Sequence, residues 1–105
     1  MEIYDLSEMK AGDGEGGGVN VFYENELFKT RLISLGAGAE IPQCLMEDYV
    51  MFYVLDGEVI MSRNDEQAVL GKTRMLITEP ARLSMKTEKG ARILGIQVKI
   101  NGQEG

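Results

Sequence analysis

The residues able to do chemistry in this chain are few, and what is missing narrows the field first. There is no His, which removes the commonest general base and the commonest metal ligand together. The acid–base candidates that remain are carboxylates, Tyr, Lys and a single thiol, Cys44. A reactive thiolate needs a cationic neighbour, and Arg31 is a candidate for that role from an adjacent strand. Glu47 and Asp48 are neighbours in a loop ahead of an apolar run, a placement in which acids are ordinarily solvated. Tyr49 is expected near a rim, and alternation from Val50 sends Tyr53 to the outer face with Met51. By letter, Gly12-Asp13-Gly14-Glu15-Gly16-Gly17 matches GxGxxG. A dinucleotide fingerprint needs a strand before it and a helix after it; here β-formers follow, and Glu15 would repel a pyrophosphate. None of these is a paired, mutually oriented set, so no catalytic residue is assigned.

The elements that must position such groups are short strands. Runs at 19–23, 26–35, 39–45, 49–56, 58–62, 66–70, 73–77, 81–87 and 91–100 are rich in β-formers. Between them lie Glu24-Asn25, Gly36 to Gly38, Asp56-Gly57, Asn64-Asp65, Gly71, Pro80 and Lys89-Gly90. Strands recurring at such spacing indicate a sandwich or a barrel. Asp56-Gly57 between two apolar runs predicts a hairpin, because the tight turn needs positive φ at both central residues. The run Tyr49 to Leu55 is apolar on both faces and therefore requires cover on both. A short helix is possible only at 4–10. Five glycines within residues 11–18 read as a flexible loop. The expected organisation is an arm and loop over 1–18, one barrel over 19–100 and a tail over 101–105.

Composition removes several classes of function. With 105 residues the chain is long enough for one domain with its own core. A net charge of −6 argues against nucleic acid, whose phosphates need a cationic face, and against an anionic membrane surface. No apolar stretch approaches the ~18 residues of a membrane helix, and the acidic start carries no signal-peptide pattern. A lone Cys44 makes no intramolecular disulfide, which fits a reducing interior. The expectation is a cytoplasmic protein.

One segment carries a specific resemblance. Residues Gly38 to Gly57, Gly-Ala-Glu-Ile-Pro-Gln-Cys-Leu-Met-Glu-Asp-Tyr-Val-Met-Phe-Tyr-Val-Leu-Asp-Gly, resemble the first motif of the cupin superfamily. That motif spaces a Gly, a His-x-His pair, a Glu and a second Gly, and here its positions fall without a gap on Gly38, Cys44, Met46, Val50 and Gly57. Pro42 and the ending Phe-Tyr-Val-Leu-Asp-Gly-Glu are similar to the family's usual text. The second motif has its counterpart in Gly71 to Lys86, where strict spacing puts Arg82 at the third His. A slip of one residue puts Leu83 there instead. The slip exchanges buried and exposed faces, and Leu83, Met85 and Thr87 make the better interior.

The resemblance implies an all-β fold, a single cupin-type barrel (a jelly roll of two packed antiparallel sheets), here with a flexible N-terminal arm. In metal-binding cupins the three His and the Glu converge inside the barrel. Their counterparts here are Cys44, Met46, Val50 and Leu83 or Arg82, so no metal and no cofactor is expected. A Cys–Met pair alone would suit only a soft ion and reads more simply as core. Cys44, Met46, Val50, Phe52, Leu83 and Met85 are the candidates for the wall of a cavity holding a small apolar or amphipathic ligand. Filling by Met side chains is the competing reading. Met51, Tyr53 and Leu55 form an outward apolar stripe that points to a homodimer. The leading functional expectation is a ligand-binding sensor or carrier. The alternatives are an enzyme using Cys44 or a carboxylate inside the barrel, and a plugged structural barrel.

Overall fold

Alternation of apolar and polar residues, broken by Gly, Asn and Asp, produces eight strands and no helix among the described residues. The computed structural model describes residues 1–11 and 17–100. Residues 12–16 of the glycine-rich loop expected at 11–18 and the tail at 101–105 lie outside them, and Gly17 and Gly18 belong to the first strand rather than to that loop. The strands are β1 (Gly17–Glu24), β2 (Phe28–Leu35), β3 (Glu40–Met46), β4 (Tyr49–Arg63), β5 (Glu66–Gly71), β6 (Met75–Thr78), β7 (Ala81–Lys86) and β8 (Ala91–Val98). Every pairing is antiparallel. One sheet runs β1-β2-β8-β4-β6 and the other β5-β4-β7-β3, with β4 in both. The two inner faces enclose one core, in which Val50, Val54 and Ile93 are completely buried.

The sharing of β4 corrects the hairpin expected at Asp56-Gly57. A hairpin would pair 49–55 with 58–62. Instead Tyr49–Gly57 pairs with β8 in one sheet, and Glu58–Arg63 pairs with β5 in the other. Leu55 is the extra residue of a bulge between Val54 and Asp56, and Gly57 takes φ 80°. The single left-handed residue serves a bend that carries the chain from sheet to sheet. Only Gly fits there, because a Cβ on residue 57 would lie 2.2 Å from the Gly90 carbonyl oxygen. The adjoining corner is tied by Thr87, whose buried hydroxyl donates to the Glu58 carbonyl at 2.7 Å and accepts from the Gly90 amide. The tight turn is at Asn64-Asp65, where Arg63 pairs Glu66 across two residues and Asn64 has φ 53°.

The helix considered at 4–10 is a turn at residues 6–8. Asp5 accepts hydrogen bonds at Oδ1 from both the Ser7 amide and the Ser7 hydroxyl, offering the backbone a local alternative to helix. Those bonds hold the Asp5 carboxyl below its usual pKa. The arm lies over the outer face of its own sheet. Arg92 on β8 donates to the carbonyls of Leu6 and Met9, and Asn20 on β1 donates to the Lys10 carbonyl. Both anchors flank Leu32, which points outward yet is completely buried. Among the described residues, no helix is long and apolar enough to cross a membrane.

Candidate functional site

The end strands of the six-strand path, β1 and β3, are not paired with each other, and a cavity of about 210 Å³ opens between them. From β1 and β2 it takes Val19, Arg31 and Ile33; from β3, Ile41, Cys44 and Met46; from β4, Phe52; and from β7, Leu83, Ser84 and Met85. The bulge in β3 between Ile41 and Cys44 is what lets residues at 41, 44 and 46 share one face. Pro42 sits in that bulge, at a sheet edge where its missing amide breaks no ladder.

Among the described residues, the ionisable groups on the wall are Arg31 and Cys44; no Asp or Glu lines it. Arg31, Gly95 and Phe52 occupy one row across β2, β8 and β4. A Cβ on residue 95 would lie 3.3 Å from Arg31 Cγ and 3.3 Å from Phe52 Cε1. Gly95 therefore leaves the slot in which the Arg31 stem and the Phe52 ring meet. Arg31 Nε is buried without a hydrogen-bond partner. Burial lowers the Arg31 pKa from its ordinary value, and the charge of an ionised Cys44 acts in the opposite direction. The guanidinium remains charged in any ordinary buffer.

Five of the six residues expected on the wall are brought together there: Cys44, Met46, Phe52, Leu83 and Met85. Val50 is fully buried and stands outside that set. Cys44 is solvent-exposed on the open side. Strand parity places Leu83 and Met85 inward, both 5 % exposed, while Arg82 and Lys86 face solvent. Glu47 is exposed, but Asp48 is structural: it accepts from the Gln97 side chain at 2.6 Å and from the Ile100 amide at 3.2 Å. From sequence, Arg31 is a candidate only as a cationic neighbour for Cys44. Its signal was its parity with Ile33 and Leu35, together with a glycine in mid-strand at 95.

The metal that the cupin resemblance implies would meet a thiol, a thioether and two hydrocarbon side chains at Cys44, Met46, Val50 and Leu83. Val and Leu have no lone pair to donate, so the set does not fit the three-His, one-Glu centre. Among the described residues, no three His, Cys, Asp or Glu side chains form a potential metal site.

The outer face of the first sheet is apolar over several rows. Register places Phe28, Val98 and Tyr49 in one row, and Ile96, Met51 and Ile77 in a second. Leu32, Leu94, Tyr53 and Met75 form a third. Met51 and Tyr53 are half-buried, whereas Ile77 is 64 % exposed and Met75 44 %. Leu55 departs from this stripe: it lies at the bulge and lines a hollow with Leu6 of the arm.

Comparisons with known proteins bear on this architecture. Neither models of protein families nor curated protein sequences give a match. Solved structures do. TT1209 from Thermus thermophilus superposes with a TM-score of 0.84 at 22% identity, covering 93% of this chain and 97% of the other. An RmlC-like cupin protein from Desulfovibrio desulfuricans gives 0.81 at 20% identity, covering 93% and 96%. The cupin domain of Cnp3 from Schizosaccharomyces pombe gives 0.77 at 18% identity, covering 91% and 68%. Two antiparallel sheets sharing β4, the Gly38 to Gly57 motif running into that shared strand, and these superpositions together establish that this chain has the cupin fold.

Proposed function

We propose that this chain is a metal-independent cupin-fold homodimer that binds a small apolar or amphipathic molecule, acting as a sensor or carrier. The observation that carries the reading is the cavity of about 210 Å³ between β1 and β3, walled by hydrocarbon, thioether and aromatic groups. A plugged barrel would have filled this space, as the β4 side is filled. The volume is below the ~300–1,000 Å³ of drug-sized sites, so the ligand is small. The donor set at Cys44, Met46, Val50 and Leu83 supports independence from metal.

Dimerisation is supported by the outer face of the first sheet. Its rows through Met51 and Tyr53 contain no charged side chain, and they leave Ile77 and Met75 in water. In a two-fold dimer the same patch meets its own copy, and the apolar rows of this face suit such a contact. Native mass spectrometry of protein purified without chelator is expected to report a dimer with a retained small molecule and no stoichiometric metal. One metal ion per chain would overturn the metal claim. A monomer at micromolar concentration, unchanged by Met51→Glu, would overturn the dimer.

The second reading, an enzyme working through Cys44, is favoured only by Arg31 and Cys44 lining the same cavity, from different sheets rather than from the adjacent strands expected of them. Its test is the rate of Cys44 alkylation against pH: a rate already at plateau in mild acid supports it, and an ordinary thiol profile retires it.

A further inference from the structure

We propose that the cavity takes a small organic carboxylate, with Arg31 as the group that binds its negative end and the apolar wall holding its hydrocarbon or aromatic tail. The inference rests on the ligand-binding reading above and specifies the chemical class of the ligand.

Arg31 is partly buried, and its charge is unbalanced among the described residues. An ionised group that gives up part of its hydration gains from a partner that replaces it. Arg31 Nε is the one buried side-chain nitrogen or oxygen among the described residues that has no partner. No carboxylate of the chain's own lines the cavity to complete it, among the described residues. The chain does pair other cations: Arg63 meets Glu66 and Glu79, and Lys99 meets Glu24. Acids outnumber bases 17 to 11, so the unpaired state of Arg31 does not reflect a shortage of carboxylates.

Arg31 lines the cavity, with its stem and Nε beside Gly95. Gly95 opens the slot beside Phe52 through which the Arg31 stem runs, and any larger residue there would crowd Arg31 Cγ and Nε within 3.4 Å. A guanidinium offers donors in a planar fork that matches a carboxylate. Beyond it, Ile33, Phe52, Leu83 and Met85 offer only hydrocarbon, ring and thioether surface. At ~30 Å³ per water, the cavity holds roughly seven water-sized units, which suits an acid of short chain or a single ring. A doubly charged phosphate finds one guanidinium and apolar walls, a poorer match than a monoanion with a tail.

The test uses the full chain at neutral pH and isothermal titration with four probes: benzoate, hexanoate, and their neutral counterparts benzyl alcohol and hexanol. Inorganic phosphate is a fifth. Each carboxylate is expected to bind at least tenfold tighter than its alcohol. Arg31→Met is expected to remove that preference while leaving alcohol binding within about twofold, and Arg31→Lys to retain only part of it. Unchanged alcohol binding also reports that Arg31→Met is folded. Equal binding of acids and alcohols to the native chain would overturn the carboxylate assignment and leave the apolar cavity standing. Binding of phosphate without either organic acid would also overturn it. No binding by any probe would overturn both the assignment and the ligand-binding reading beneath it.

Discussion

The two sides of this barrel are built from the same alternating strands and end up unlike each other. On one side β4 runs unbroken from sheet to sheet, and Val54, Val59, Leu70, Ala91 and Ile93 are all at most 8 % exposed. On the other, β1 and β3 stay apart, and the space between them holds a cavity lined by a cation that has no partner among the described residues. Apolar alternation is present on both sides, so pattern does not cause the difference. Covalent continuity does. Where one strand belongs to both sheets, the inner faces are forced together; where two edges merely face each other, side chains meet only as far as they reach.

This contrast can be broken most severely at Gly57. Gly57→Val places a branched side chain at φ 80° and a Cβ against the Gly90 carbonyl. The φ alone costs about 1–3 kcal/mol, and the clash adds to it. Urea unfolding should show the largest loss of any single change considered; an unaltered midpoint would mean that β4 can bend elsewhere. Next in size is a matched pair of truncations. Ile93→Ala on the filled side should cost about 2–5 kcal/mol, while Met46→Ala on the open side, where the residue is half-buried, should cost less than half of that. Equal losses would show that both sides are packed alike.

Arg31→Met should move stability the other way. It replaces a partly buried cation, with Nε unpartnered among the described residues, by an apolar side chain of similar length, and a gain of up to about 1 kcal/mol is expected in ligand-free protein. A loss would mean that the guanidinium has a partner in solution. The smallest effect is expected at Glu24, whose side chain is about half exposed. Its hydrogen bond from Lys99 lowers its pKa. Whatever Glu24 contributes is therefore present above its unfolded pKa and lost as pH falls through the lower, folded value. Glu24→Gln should leave the midpoint at neutral pH nearly unchanged and flatten the stability profile slightly in acid. A large loss at neutral pH would make the β1–β8 rim a more important tie than the cavity-side packing.

Much of the fold was legible in the residues. Strands β1, β2, β3, β5, β7 and β8 fall within one or two residues of the expected runs at their starts, because Gly, Asn and Asp punctuate them. Leu83 over Arg82 followed from parity alone. Asp56-Gly57 misled, because a glycine with positive φ serves a bulged bend as well as a tight hairpin. Asp5 and Ser7 misled in the opposite sense: side chains that cap a turn competed successfully with a helix. Cys44, Met46 and Leu83 were read from the cupin motifs and Met85 from strand parity, yet Arg31 was not among the ligand-binding candidates. Its strand reads Lys29, Arg31, Ile33, Leu35 on one parity and Phe28, Thr30, Leu32, Ser34 on the other, so the apolar signal of Ile33 and Leu35 is matched by Phe28 and Leu32 on the opposite face.

By itself the sequence determined the class of structure, the approximate strand boundaries and the chemistry absent from the interior. These depend on local spacing: a period of two, glycines where φ is positive, and the lack of any His. Tertiary structure alone decided which strand would belong to both sheets, that the arm would lie across Leu32, and that Arg31 would line an apolar cavity with no carboxylate among the described residues. Those outcomes depend on register between strands distant in the chain. In the clearest instance, Gly95 leaves the room that Arg31 and Phe52 share, a relation between three strands that no single stretch of residues contains.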